Sequence, residues 1–104
     1  MTIKILESAV DDLARGRKFY ARHGLGVGDY FLDSLFSDID SLLLYAGIHQ
    51  KTFGYHRLLS KRFPYAVYYL IEEEVVIVYR VLDVRQNPES IREHLKPDDQ
   101  PEQE

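Results

Sequence analysis

The residues best equipped for chemistry lie in the second half of this chain: Arg57, Lys61, Arg62, Arg80 and Arg85, with Tyr55, His56 and Tyr79 among them. Guanidinium forks suit carboxylates and phosphates, and phenol rings beside them can stack on bases or anchor a protein partner. Imidazole is the side chain suited to carry a proton near neutrality, which makes His56 a general-base candidate. Charge is uncommon within strands, so an arginine there pairs with a carboxylate, covers a sheet edge or points toward an anionic ligand. Lys51, Arg57, Lys61 and Arg62 also fall in a stretch, residues 41–71, that contains no acid. Together these residues describe a basic, aromatic contact surface.

Other chemistry is poorly supported. Gly24, Gly26 and Gly28 follow a helical pattern instead of a strand and lack the Lys-Ser/Thr of a phosphate loop, so they read as an interhelical link. The four histidines, His23, His49, His56 and His94, have no metal-ligand spacing, and with no cysteine there is no thiolate site or disulfide framework. Asp11 and Asp12 serve a helix start, and Glu72, Glu73 and Glu74 form a solvated turn. No serine sits in a nucleophile elbow. No metal and no organic cofactor is expected.

Three strands must position the contact surface. Residues 53–59, 65–71 and 75–82 are rich in aromatic and β-branched side chains, and Pro64 marks the entry to the second run. Period-two alternation places Arg57 with Tyr55 and Leu59, and Arg80 with Val76, Val78 and Leu82. Upstream, residues 2–6 alternate as a short strand. A helix over about residues 8–23 begins at a Ser8 cap and has an apolar face of Ala9, Val10, Leu13, Phe19 and Tyr20. A second helix runs from Val27–Asp29 to Ala46 and ends at Gly47, with Phe31, Leu32, Leu35, Phe36, Ile39, Leu42 and Leu43 at helical spacing. Asn87 and Pro88 open a last short helix, anchored by Ile91 and Leu95.

This order predicts an α+β domain of two layers: a strand and a helical hairpin packed on an antiparallel sheet of three to four strands, with a short C-terminal helix. One sheet face is left for solvent, a ligand or a partner. Residues 1–96 are expected to form one domain and residues 97–104 an acidic, disordered tail. That tail carries four acids and no base, so the net charge of −4 reduces to a neutral body. A neutral body with a local basic patch is weaker than the face of a dedicated nucleic-acid binder. No apolar run reaches the roughly 18–20 residues of a membrane span and no signal-peptide core follows Met1, which predicts a cytoplasmic protein that does not engage membranes.

Several runs, taken in order, resemble a known family. They are Asp12-Leu13 and Phe19-Tyr20 before Gly24-Leu25-Gly26; Gly54-Tyr55-His56-Arg57-Leu58-Leu59; Lys61-Arg62-Phe63-Pro64-Tyr65-Ala66-Val67-Tyr68-Tyr69; and Val81-Leu82-Asp83-Val84-Arg85-Gln86-Asn87-Pro88. The pattern is similar to the RelE/ParE superfamily of toxins from type II toxin–antitoxin systems, in its ParE-like, plasmid-stabilisation branch, over about residues 2–95. The resemblance implies a cognate small antitoxin as partner and one of two targets. RelE-like members cleave messenger RNA on the ribosome, whereas ParE-like members poison DNA gyrase without cutting nucleic acid.

Residues decide between the branches. RNA cleavage needs a base, an acid and stabilisation of phosphate charge brought together. Residues 65–71 carry no charge, Asp83 stands where many relatives have histidine, Gln86 where many have a second arginine, and Ile91 offers no phenol. The expectation is therefore a gyrase-directed toxin with Tyr55, Arg57, Lys61, Arg62, Tyr79, Arg80 and Arg85 as contact residues and no catalytic residue. His56 would be the catalytic candidate of the alternative endoribonuclease. A third reading is a degenerate fold that only binds an antitoxin.

Overall fold

The computed structural model describes residues 1–96; the expected acidic tail, residues 97–104, lies outside the described residues. The elements are β1 (Thr2–Ile5), α1 (Glu7–Ala21), α2 (Val27–Asp40), α3 (Leu42–Tyr45), β2 (Lys51–Thr52), β3 (Tyr55–Leu59), β4 (Tyr65–Glu72), β5 (Val75–Asp83) and α4 (Pro88–Leu95). The α+β class matches the sequence reading, but the sheet is larger: five strands in the order β1-β5-β4-β3-β2. It is also mixed, because β1 lies parallel to β5, with Thr2 opposite Val75 and Ile5 opposite Val78.

The helical hairpin covers one face. Ala9, Leu13, Phe31, Leu35, Ile39 and Leu42 meet Val67, Tyr69, Val76, Val78 and Val81 in a core whose members are nearly inaccessible to solvent. The two helices approach closely because Gly16 faces the Phe31 ring, with which an added Cβ would clash. The other residues predicted for these helical faces divide differently: Val10, Phe19, Phe36 and Leu43 are exposed. The second helix is broken at Ser41, whose hydroxyl donates to the Asp38 carbonyl, competing locally with the helical ladder. Ser8 is not a cap. It lies inside α1 and donates from Oγ to the Tyr79 carbonyl at 2.7 Å, tying the helix to β5.

The opposite face, expected to be open, is partly covered. Ile91 and Leu95 of α4 pack on Ala66, Tyr68 and Leu82, with Tyr55 and Val84 at the margin. The predicted cap holds α4 in place at its start: the Asn87 side chain accepts from the Glu89 amide at 2.7 Å, with Pro88 in the first turn. At its other end, Tyr55 Oη donates to the Leu95 carbonyl at 3.1 Å.

Two local features alter the predicted strands. Phe53 and Gly54 both have positive φ, 55° and 88°, and form the tight turn between β2 and β3, so they do not extend a single strand. A bulge in β5 places Tyr68 opposite Arg80 but Tyr69 opposite Val78, leaving Tyr79 as the extra residue. The bulge resets the alternation. Val76 and Val78 face the hairpin core, whereas Arg80 shares the α4 face with Tyr68 and Leu82, which corrects the grouping read from period two.

Candidate functional site

The α4 face of the sheet carries most of the predicted contact residues. Arg57 lies opposite Tyr68, and Tyr68 opposite Arg80, so these three form one row across β3, β4 and β5. Directly opposed residues of an antiparallel pair project to the same side. Tyr55 and Arg57 alternate onto that face together, and the Tyr55 and Tyr79 rings meet edge-on with centroids 5.1 Å apart. Burial raises the pKa of both phenols, so each stays a neutral donor at physiological pH. A groove of about 710 Å³ opens at one end of this face, between the Phe53–Gly54 turn and the α4 residues Arg92 and Leu95.

The five cations predicted for this surface fall into two groups. Arg80 is committed to the scaffold. Its Nε and Nη2 donate to the two Asp12 carboxylate oxygens at 2.7 and 2.8 Å, while Nη1 donates to the His94 carbonyl at 2.9 Å. Asp12 also accepts the Val81 amide at 2.9 Å, and its side chain is only 4% exposed. Arg80 therefore joins α1, the edge of β5 and the end of α4. Arg85 closes on Asp83 through two side-chain bonds of 3.1 and 2.7 Å, and the Arg85 hydrogen bond holds the Asp83 carboxyl below its ordinary pKa. Arg57, Lys61 and Arg62 form the second group. Arg57 Nε reaches Tyr68 Oη at a long 3.4 Å, and Lys61 and Arg62 stand exposed on the loop after β3. None of these three makes an ion pair with an acid among the described residues.

His56 is not part of this row. It lies opposite Tyr69 on the hairpin side of the sheet, with its ring stacked on the Tyr69 phenol at 5.0 Å and 25°. Its Nδ1 donates to the His49 carbonyl at 2.6 Å. Tyr69 Oη accepts the Gly47 amide at 2.9 Å, leaving its proton for His49 Nδ1, 2.6 Å away. Burial, and secondarily the neighbouring His56, lowers the pKa of His49, which suits an acceptor role. This closed network fixes the loop between α3 and β2. The sheet thus separates the proton carrier from the arginines that would stabilise phosphate charge, and no group of three metal-ligating side chains occurs among the described residues.

Asp12, His49 and Tyr69 had no local signature in the sequence. Their partners lie 68 and 20 residues away, and no spacing rule spans such separations. The only available signal for Asp12 was the presence of an arginine within a strand, which calls for a carboxylate without naming it.

A family model described as the ParE toxin of type II toxin–antitoxin system, parDE, matches residues 3–88. Among solved structures, a chain from a chromosomal ParDE system of P. aeruginosa superposes with a TM-score of 0.69 at 18% identity, covering 81% of this chain and 96% of that one. No curated protein matches. No helix among the described residues is long and apolar enough to cross a membrane.

Proposed function

Because the chain belongs to the ParE toxin family, we propose that it is a non-nucleolytic, cytoplasmic toxin that poisons DNA gyrase and is silenced by a cognate small antitoxin. The observation that supports a toxin without nuclease chemistry is the separation of His56 from Arg57 and Arg80 by the thickness of the sheet. In-line cleavage requires a proton carrier and charge-stabilising groups around one phosphate. Here His56 Nδ1 is engaged by a backbone carbonyl, and Arg80 and Arg85 are neutralised by Asp12 and Asp83. Arg57, Lys61 and Arg62 make the target contact, with Tyr55 and Tyr79 as the aromatic support beside them. Arg80 and Arg85 shape that surface.

The test is tightly controlled expression in a bacterial host, with survival, DNA and messenger RNA followed in one culture. Filamentation with trapped gyrase–DNA cleavage complexes is expected, and co-expression of the neighbouring antitoxin restores growth. Cleaved transcripts over intact DNA would replace this reading with the endoribonuclease. Full survival with abundant soluble protein would leave a binding-only fold.

A further inference from the structure

A second cleft, about 240 Å³, lies where α1 passes the free end of β5, on the side of the sheet edge that β1 does not reach. Asp12, Arg15 and Gly16 of α1, Tyr65 of β4, Asp83 of β5 and His94 of α4 contribute to its lining. Its balance of donors and acceptors is uneven. The Asp12 oxygens take four donors, from Arg15, Arg80 twice and the Val81 amide. The Asp83 oxygens take three, all from Arg85. Both carboxylates are spent, and three guanidinium groups stand against these two acids.

Donors remain. Tyr65 is 9% exposed, yet its hydroxyl makes no hydrogen bond among the described residues. Lining the cleft without a protein partner, this hydroxyl is placed to donate to an acceptor that enters it. Burial, then the charge of Asp83, pushes the Tyr65 pKa up to about 12, which keeps the proton in place for donation. Arg15 is 67% exposed at its side chain and offers further N–H groups beyond the one on Asp12. The Val81 amide turns outward to Asp12 and the Asp83 carbonyl turns outward to Gln86, so the Asp83 amide faces the same open edge.

We infer that this cleft is a carboxylate-binding pocket, in which Tyr65 Oη, the Arg15 guanidinium and the Asp83 amide donate to one carboxylate. The carboxylate is borne either by an acidic side chain of a partner protein or by a free small acid. The pocket meets the Arg57 row at Arg80, which lines it from the edge of β5, but the inference does not depend on the toxin reading.

The test uses the full chain labelled with ¹⁵N and titrated with acetate against chloride at constant ionic strength. An acetamide titration and a titration with the capped tripeptide acetyl-Ala-Asp-Ala-amide run beside it. Saturable shifts of the Gly16 and Asp83 amides are expected with acetate and not with acetamide. Tyr65→Phe, which keeps the ring packed on Phe31, should weaken binding about fivefold, and Arg15→Gln by a similar factor. Tighter binding of the tripeptide assigns the carboxylate to a protein side chain, and equal binding assigns it to a small acid; either upholds the pocket. The inference is overturned by an absence of saturation, by an equal response to acetamide, or by unchanged affinity in folded Tyr65→Phe.

Discussion

The two faces of the sheet are built from the same three long strands and differ in what they do with polar groups. On the hairpin side, Val67, Val76, Val78 and Val81 are buried against helices, and beside them Tyr69, His49 and His56 bond to one another and to backbone. On the α4 side, an apolar strip of Ala66, Tyr68 and Leu82 runs beside Arg57 and Arg80, and only a two-turn helix covers it. The first face holds the fold together. The second is only partly covered and keeps an exposed groove at the end of α4.

Breaking the Asp12–Arg80 link between the faces should have the largest effect. Asp12→Ala strips Arg80 of its carboxylate and Val81 of its acceptor inside the protein. A loss of about 3–5 kcal/mol in urea unfolding is expected. A loss below about 1 kcal/mol would mean that the faces are stabilised independently. Arg80→Ala should cost nearly as much by leaving Asp12 buried beside an empty position, so loss of toxicity in that variant would report folding before contact.

The next two changes separate the faces. Leu95→Ala removes the anchor of α4 and should cost about 2 kcal/mol, with helical signal lost from residues 88–95 and not from α1. Tyr69→Phe deletes the hydroxyl that serves Gly47 and His49 and should cost about 1–2 kcal/mol, with amide exchange quickened in residues 46–50. If either variant loosened the opposite face equally, the division drawn above would fail.

Mild acidity should act first on the hairpin side. The folded-state pKa of His49 is depressed below its ordinary 6.5, so its contribution is fully present above that value and is lost as pH falls through the window below it. Protonated His49 cannot accept from Tyr69. The urea midpoint of the native chain should therefore drop between pH 7.5 and 5.5, and less so in His49→Gln; equal drops would exclude His49 as the cause. The smallest stability effect is expected for Arg57→Ala, within about 0.5 kcal/mol, since its side-chain hydrogen bond to Tyr68 is long. Survival of the expressing host should nevertheless rise sharply. A stable Arg57→Ala variant that still kills would remove Arg57 from the contact set.

Local chemistry made much of this architecture legible. The helical hairpin, the strands, the Asn87–Pro88 start of α4 and the core positions Leu13, Leu35, Ile39 and Leu42 follow from periodicity and capping, which act over a few residues. Contacts that join distant parts of the chain were not legible. Ser8 is an acceptable cap by type, yet its hydroxyl found the Tyr79 carbonyl. The bulge at Tyr79 has no residue signature and reverses the face on which Arg80 lies. The pairing of β1 with β5 also required knowledge of how the helices return the chain, since parallel neighbours are never adjacent in sequence. The candidate surface was legible in kind, as arginines and tyrosines in strands. Which of the arginines were already held by carboxylates was not.

That parallel pairing also sets a timetable. As the chain is made, Thr2–Ile5 emerges long before Val75–Val78, the strand it joins. Asp12 likewise waits across 68 residues for Arg80. Contacts so distant in sequence close late. The sheet, its edge and the row of Arg57, Tyr68 and Arg80 are therefore completed together, only once residues 75–83 are available, and a product truncated before them has neither the finished surface nor the fold that supports it.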